Sequence, residues 1–157
     1  MAGTLGFSYV GLVFLVMLFV PNLLWARSKP QGYSSAEESR ALRLCERTGE
    51  ALTCACALIF SDFNLRPWNP WCWWLAAAFA LMALYELWWV RYFRSNRTLS
   101  DFYSSFFGVP LAGATLPVLA FFLLGVYGRV ALMLAAALLL GVGHIGIHRQ
   151  HQRKFVR

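Results

Sequence analysis

The sequence predicts an all-α, polytopic membrane protein: one bundle of five transmembrane helices that uses residues 1–157 as a single domain. Hydrophobic residues make up 59% of the chain and charged residues 13%, whereas about a quarter of a soluble domain is charged. Three apolar segments, residues 5–26, 71–90 and 106–147, are long enough to cross about 30 Å of hydrocarbon. The last segment is long enough for two spans and is interrupted at Tyr127-Gly128-Arg129.

The first predicted span ends in a proline followed by an amide. No Lys or Arg precedes this span, and the sequence after Pro21 is not a small-residue cleavage site, so we expect it to be retained. Pro21 removes one helix hydrogen bond and leaves a carbonyl without its usual donor about one turn earlier. Asn22 directly follows this proline near the inner end of the span, about one turn after the carbonyl that lacks its donor.

The second predicted span is ambiguous, because RLCERTGEALTCACALIF (residues 43–60) begins charged and ends apolar. If this segment crosses the membrane, eleven basic residues fall in the first loop, the third loop and the tail, and two fall in the other loops. That distribution follows the positive-inside rule, with the N-terminus outside and the C-terminus cytoplasmic. If the segment lies on the surface, four spans remain and the asymmetry is damaged. The predicted spans are residues 5–26, 41–62, 71–92, 105–126 and 129–148.

The charges within the second span argue against crossing, because each one costs roughly 2.5–3.5 kcal/mol at the centre of a lone helix. Arg43, Glu46, Arg47 and Glu50 are spaced i, i+3, i+4, i+7, so they share one helix face that can turn into a bundle. They also fall in the cytoplasmic half, where long side chains reach the interface. We therefore favour crossing.

The last two predicted spans differ in their polar content. The fourth contains small residues together with Pro110 and Pro117, which predict close helix contact and bending. The fifth places glycines around His144 and a second imidazole, His148, one turn further on, near the head groups. Close helix packing is the favoured explanation of those glycines. His151 is expected to be solvated in the basic tail.

Depth along the helices brings the polar residues of different spans to one level on the cytoplasmic side. Ionisable groups inside a membrane usually face the bundle interior and mark functional sites. We therefore predict a polar chamber, open to the cytoplasm, that binds a small cation, a proton or an amphipathic ligand. Its predicted lining residues are Asn22, Glu46, Arg47, Glu50, Tyr85, Glu86 and His144.

Two other functions remain open for the same residues. Glu86 and His144 could act as acid and base on a lipid-like substrate that enters from the bilayer. Alternatively, Arg47 could pair with Glu46 or Glu50 in an ion-pair network that only holds the helices of an accessory subunit together. Metal binding is the weakest hypothesis, because the sequence has neither HExxH nor ExxH. Its candidate ligands are Glu46, Glu50, Glu86, His144 and His148.

The expected partners are the lipid bilayer and a small-molecule, ion or lipid-like ligand, in a plasma membrane or a bacterial inner membrane. The net charge of +7 is attributed to cytoplasmic loops rather than to nucleic-acid binding. No cofactor can be named from the sequence. Transport would imply a homodimer, because one five-helix bundle is thin for a complete path. Trp25, Trp88 and Trp89 are expected to form an inner aromatic belt.

Overall fold

A computed structural model describes residues 3–35 and 38–155, and within these ranges the protein is all-α. Two isolated bridges, between Leu5 and Phe60 and between Phe106 and Val109, are the β-type pairings in this part of the chain. The helices are α1 (Tyr9–Arg27), α2 (Arg40–Ile59), α3 (Trp73–Arg94), the single-turn α4 (Leu99–Phe102), α5 (Ala112–Gly128) and α6 (Ala131–Phe155).

Among the residues that the structure describes, three helical segments are long and apolar enough to cross a membrane: Tyr9–Arg27, Pro70–Arg94 and Ala131–Lys154. Helix α5 is apolar but shorter, and α2 carries five charged residues between Arg40 and Glu50. The 20 residues of α2 nevertheless extend about 30 Å, the thickness of a hydrocarbon core.

Helix boundaries differ from the predicted spans at both ends of the last apolar block. Helix α5 begins at Ala112 rather than at residue 105, because Leu111 adopts the left-handed conformation (φ 48°) after a turn closed by Phe106 and Val109. Pro110 therefore precedes the helix, and Pro117 lies inside it. The expected break after α5 is present, with Arg129 in the left-handed conformation. Helix α6 continues to Phe155 instead of ending near residue 148.

Helices α2 and α6 pack side by side and antiparallel, with glycines at their points of closest approach. A Cβ atom on Gly143 would lie 2.2 Å from the Glu46 nitrogen, and one on Gly49 would lie 2.4 Å from the Leu140 nitrogen. Further along α6, Gln150 accepts a hydrogen bond from the Ser39 backbone at 3.3 Å. The charged half of α2 therefore lies at the same level as residues 140–150 of α6.

Helix α5 packs between α3 and α6. The Trp88 ring covers Gly113, and the Trp71 indole nitrogen donates to the Tyr127 carbonyl at 3.0 Å. Trp88 and Trp89 are 0% and 3% exposed, so they belong to the core and do not form the expected inner belt.

One end of the bundle is closed by the chain before α1, which pairs with the end of α2. Gly6 and Ser8 donate backbone hydrogen bonds to Ile59 and Leu58, at 2.8 and 3.0 Å. Asn64 caps α1 by accepting from the Tyr9 nitrogen at 2.9 Å. We call this end, with residues 4–14, 54–64 and 125–134, the closed half. Arg27 lies at the opposite end of α1.

Candidate functional site

The opposite half of the bundle contains a cavity of about 450 Å³, which we call the inner cavity. All five long helices contribute to its lining, together with the segment between α1 and α2 and with Phe102 of α4. Its volume is within the range of small-molecule sites, about 300–1,000 Å³. Helices α1 and α2 touch at Gly11 and Ala57 in the closed half, and they are separated by this cavity further along.

One wall of the inner cavity is aromatic. Trp25 of α1 stacks on Phe102 with ring centroids 5.0 Å apart, and Tyr85 of α3 stacks on Trp88 at 6.5 Å. Trp89 completes this wall through an edge contact with Trp88 at 4.7 Å. Flat apolar rings on several helices provide a surface against which a hydrocarbon chain or a ring can pack.

The facing wall consists of the charged face of α2. Arg43, Glu46, Arg47 and Glu50 all line the cavity, as their helical spacing predicts. The Arg43 guanidinium donates to the Glu38 backbone carbonyl at 3.4 Å. Across residues 3–35 and 38–155, no ion pair engages Arg47 or Glu50. The arginine-centred network expected of a purely structural subunit is therefore not formed among these side chains.

Glu46 pairs with a histidine instead. The Nδ1 atom of His144 lies 2.6 Å from Glu46 Oε1, and the two side chains are 30% and 22% exposed. Because a carboxylate accepts hydrogen bonds, this contact places a proton between the two groups and fixes the orientation of the ring. The Nε2 atom of His144 is then the ring nitrogen that Glu46 does not engage.

Asn22 and Tyr85 form a second polar pair, on the α1 and α3 side. The Asn22 amide nitrogen donates to the Tyr85 hydroxyl and to the Leu18 carbonyl, both at 2.7 Å. Tyr85 is 1% exposed, so this pair fixes the position of both side chains at the cavity wall.

Glu86 is the predicted site residue that the structure does not bring to the inner cavity. Its neighbour Tyr85 lines the cavity, and Glu86 points elsewhere because one residue along a helix turns about 100°. Its Oε1 atom is buried, with no hydrogen-bond partner in the part of the chain that the structure describes. The predicted pairing of Glu86 with His144 is therefore absent from this geometry.

His148 lines the inner cavity, one turn from His144 with ring centroids 4.6 Å apart. It was expected near the head groups, but α6 extends well beyond it. Within residues 3–35 and 38–155, no three His, Cys, Asp or Glu side chains are grouped so that they could hold a metal ion.

His151 was expected to be solvated, and it is instead 5% exposed. Its Nδ1 atom lies 2.6 Å from the Tyr103 hydroxyl, and its Nε2 atom lies 3.4 Å from Glu38 Oε1. The sequence contained a signal for this: residues 144, 148 and 151 are spaced i, i+4, i+7 and share one helix face.

Tyr33, in the segment between α1 and α2, lines the end of the cavity farthest from the closed half. It makes edge contacts with Trp25 and with His151, at centroid distances of 5.0 and 5.6 Å. Burial, together with the nearby Glu38 and Glu46 carboxylates, raises the pKa of Tyr33 to about 12. The Tyr33 hydroxyl therefore stays protonated and can donate a hydrogen bond at neutral pH.

Comparisons with protein-family models, with curated proteins and with solved structures found no match to this chain. The function must therefore be argued from the site itself.

Proposed function

We propose that this protein binds an amphipathic molecule within the cytoplasmic half of a plasma or bacterial inner membrane, using the inner cavity. The observation that carries the proposal is the composition of the two facing walls. Aromatic rings from α1, α3 and α4 face the charged surface of α2 and the Glu46–His144 pair. A molecule with an apolar body and a polar head fits both walls, whereas a bare ion would leave the aromatic wall without a partner.

The way into the cavity supports a ligand that comes from the bilayer. Phe19 of α1 is 38% exposed, Arg47 and Glu50 of α2 are exposed, and all three line the cavity. Helices α1 and α2 diverge on this side after their contact at Gly11 and Ala57. We infer that a lipid-like ligand enters between these two helices, with its head towards α2 and its tail along the aromatic wall.

A titration of tryptophan fluorescence tests this proposal, because Trp25, Trp88 and Trp89 line the cavity. The protein in phosphatidylcholine nanodiscs would be titrated with dodecyl phosphate, dodecyltrimethylammonium and a neutral dodecyl glycoside. At least one of these amphiphiles should give a saturable change. We expect Val118→Phe, which fills the cavity, to weaken that binding at least tenfold. Val142→Phe, on an exposed face of α6, is the matched control and should leave it unchanged.

A fluorescence change that rises linearly without saturating, and that is the same in both valine variants, would show that the amphiphile only partitions into lipid. That result would contradict a binding site. The melting temperature of Val118→Phe must stay close to that of the parent for its loss of binding to count. Co-purified lipid detected by native mass spectrometry gives an independent measurement of occupancy.

The topology that this proposal needs is five crossings, with the N-terminus outside and the C-terminus in the cytoplasm. This topology is supported by the contact between residues 39–49 and α6. If α6 crosses the membrane, α2 must lie at the same depth. The topology is also supported by Asp62, which accepts from the Thr4 backbone nitrogen at the end of α1 opposite Arg27. The charged face of α2 then turns inwards.

Cysteine labelling tests this topology in a background where the four native cysteines are replaced. Leu65→Cys should react with a membrane-impermeant maleimide in intact cells, and Gln31→Cys should react only after permeabilisation. Labelling of both positions from the same side would mean that α2 lies on the membrane surface. Transport across the bilayer would further require a second copy of the chain, which cross-linking can detect.

The Glu46–His144 contact of 2.6 Å favours a second candidate, an enzyme that moves a proton on a bound amphiphile. A carboxylate that orients an imidazole leaves the second ring nitrogen available as a base. Deuterium incorporation from D2O into the bound amphiphile, measured by mass spectrometry and lost in His144→Gln, would support the enzyme. Binding without incorporation would leave a binding protein.

A further inference from the structure

The carboxylates around the inner cavity differ in whether they already have a cationic or imidazole partner. Glu46 is engaged by His144 at 2.6 Å, and Glu38 is engaged by His151 at 3.4 Å. Glu50 is the acid of this lining without such a partner among residues 3–35 and 38–155, and it is exposed. Within the described ranges, two of the three carboxylates in the lining therefore already have an imidazole partner on α6, and Glu50 does not.

The cationic groups of the same wall are not compensated. Arg43 and Arg47 lie one turn apart on the cavity face of α2, and neither contacts a carboxylate in the described ranges. Tyr33 adds a protonated hydroxyl at the cytoplasmic end, and His148 adds an imidazole. The two guanidinium groups, the hydroxyl and the imidazole make the polar side of the cavity rich in hydrogen-bond donors.

The aromatic wall is not an unoccupied binding site for a cationic head group. Three or more rings with a carboxylate nearby can bind a quaternary ammonium group. Here Lys29 already lies 5.5 Å from the ring centroids of both Trp25 and Tyr33. The cytoplasmic end of that wall therefore has its own cation, which would repel a positively charged head group.

We propose, on the basis of the function proposed above, that the ligand is an anionic amphiphile whose head group is a phosphate or carboxylate held by Arg43 and Arg47. Guanidinium groups bind such oxyanions through paired, charge-assisted hydrogen bonds. The Tyr33 hydroxyl supplies a further donor near the cytoplasm. The apolar tail packs along Leu18, Phe19 and the half-buried Trp25 of α1, and it leaves between α1 and α2.

The fluorescence titration in nanodiscs, extended to inorganic phosphate, tests this head-group assignment. Dodecyl phosphate should bind at least tenfold more tightly than dodecyltrimethylammonium or the neutral glycoside. Arg43→Gln and Arg47→Gln should each weaken dodecyl phosphate about tenfold and leave the neutral glycoside unchanged. Arg149→Gln, an exposed position on α6 outside the cavity lining, removes the same charge and should have no effect. Inorganic phosphate alone should not compete.

Each alternative outcome separates this assignment from the proposed function. Saturable binding of the cationic or neutral amphiphile with equal or higher affinity would overturn the anionic head group and keep the amphiphile site. Competition by inorganic phosphate at the same concentration would keep the anion site and overturn the need for a tail. Absence of saturable binding for every amphiphile would overturn both proposals. An equal loss in Arg149→Gln would show a general surface-charge effect and would overturn the arginine assignment.

Discussion

The two halves of this bundle are built from the same five helices and differ in how α1 meets α2. In the closed half, small residues let backbones touch: Gly11 meets the Ala57 carbonyl, and Gly125 meets Met133 and Leu134. In the half that contains the inner cavity, α1 and α2 carry aromatic and charged side chains and lie apart. Because α2 and α6 also touch beside the cavity, at Gly49 and Gly143, the difference lies in the contact between α1 and α2, which is made at one end and leaves room for a ligand at the other.

The largest expected difference between the two halves is at the contact that closes the bundle. A Cβ atom on Gly11 would lie 1.7 Å from the Ala57 carbonyl oxygen, and backbone cannot rotate away as a side chain can. We expect Gly11→Ala to lower the free energy of unfolding by about 3 kcal/mol, the upper end of ordinary overpacking. Thermal unfolding in detergent, followed by size-exclusion chromatography, measures the loss.

Gly146→Ala is the matched control in the other half. Its Cβ atom would meet only methyl groups of the Leu42 side chain, at 3.0 and 3.1 Å, and a side chain can move. We expect a change within about 1 kcal/mol. Equal losses in the two variants would mean that the backbone contact at Gly11 is no tighter than the side-chain contact at Gly146.

The second expected effect compares two fully buried phenylalanines, Phe63 in the closed half and Phe121 beside the inner cavity. Replacing a buried Phe by Ala costs about 3–5 kcal/mol, and the cost falls where the site can relax or is already open. We expect Phe63→Ala to be the more destabilising by about 1 kcal/mol or more. The reverse order in thermal unfolding would show that the cavity half is the better packed.

The sequence predicts how deep a residue lies along its helix better than it predicts which way the side chain points. The level of Glu46, His144 and Asn22 follows from helix rise alone, and the structure places all three around one cavity. The direction of Glu86 does not follow from depth, because Tyr85 faces the cavity and the next residue does not. The direction in which a side chain points depends on which helices are neighbours, and a single sequence does not specify this.

Features that depend on distant or irregular segments were also beyond sequence reasoning. The late start of α5 depends on the left-handed conformation of Leu111, for which no glycine gave a signal. The burial of His151 depends on the extension of α6 and on Tyr103, from the loop that follows α3 and α4. Residues 144, 148 and 151 predicted a shared face but not the groups that cover it.

A smaller effect concerns the Glu46–His144 pair. A hydrogen bond that involves a charged group contributes about 1.5–3 kcal/mol, and partial exposure of both side chains reduces this. A double-mutant cycle with Glu46→Gln and His144→Gln should therefore give a coupling energy of about 1.5 kcal/mol in the free energy of unfolding. Strictly additive effects would mean that the two groups do not interact in solution.

The smallest expected effect is in the loop after α3, which lies outside both halves. It provides a reference against which the losses in the two halves can be compared. Thr98 and Asp101 form a capping box at α4, and the Thr98 backbone N–H holds the pKa of Asp101 below its ordinary value. A carboxyl group whose pKa is lowered on folding adds stability that is complete above its unfolded pKa, about 3.9, and is lost as pH falls through the folded pKa.

Asp101→Asn should therefore destabilise the protein by about 0.5–1 kcal/mol at pH 7, in the range of helix caps. The difference from the parent should shrink below about pH 4, because the parent carboxyl group then becomes protonated as well. Unfolding of both proteins compared at pH 7 and pH 3.5 measures this. A difference that stays constant with pH would show that the Asp101 charge does not contribute. If Asp101→Asn destabilised the protein more than Gly11→Ala, the loop, rather than the closed half, would limit the stability of the bundle.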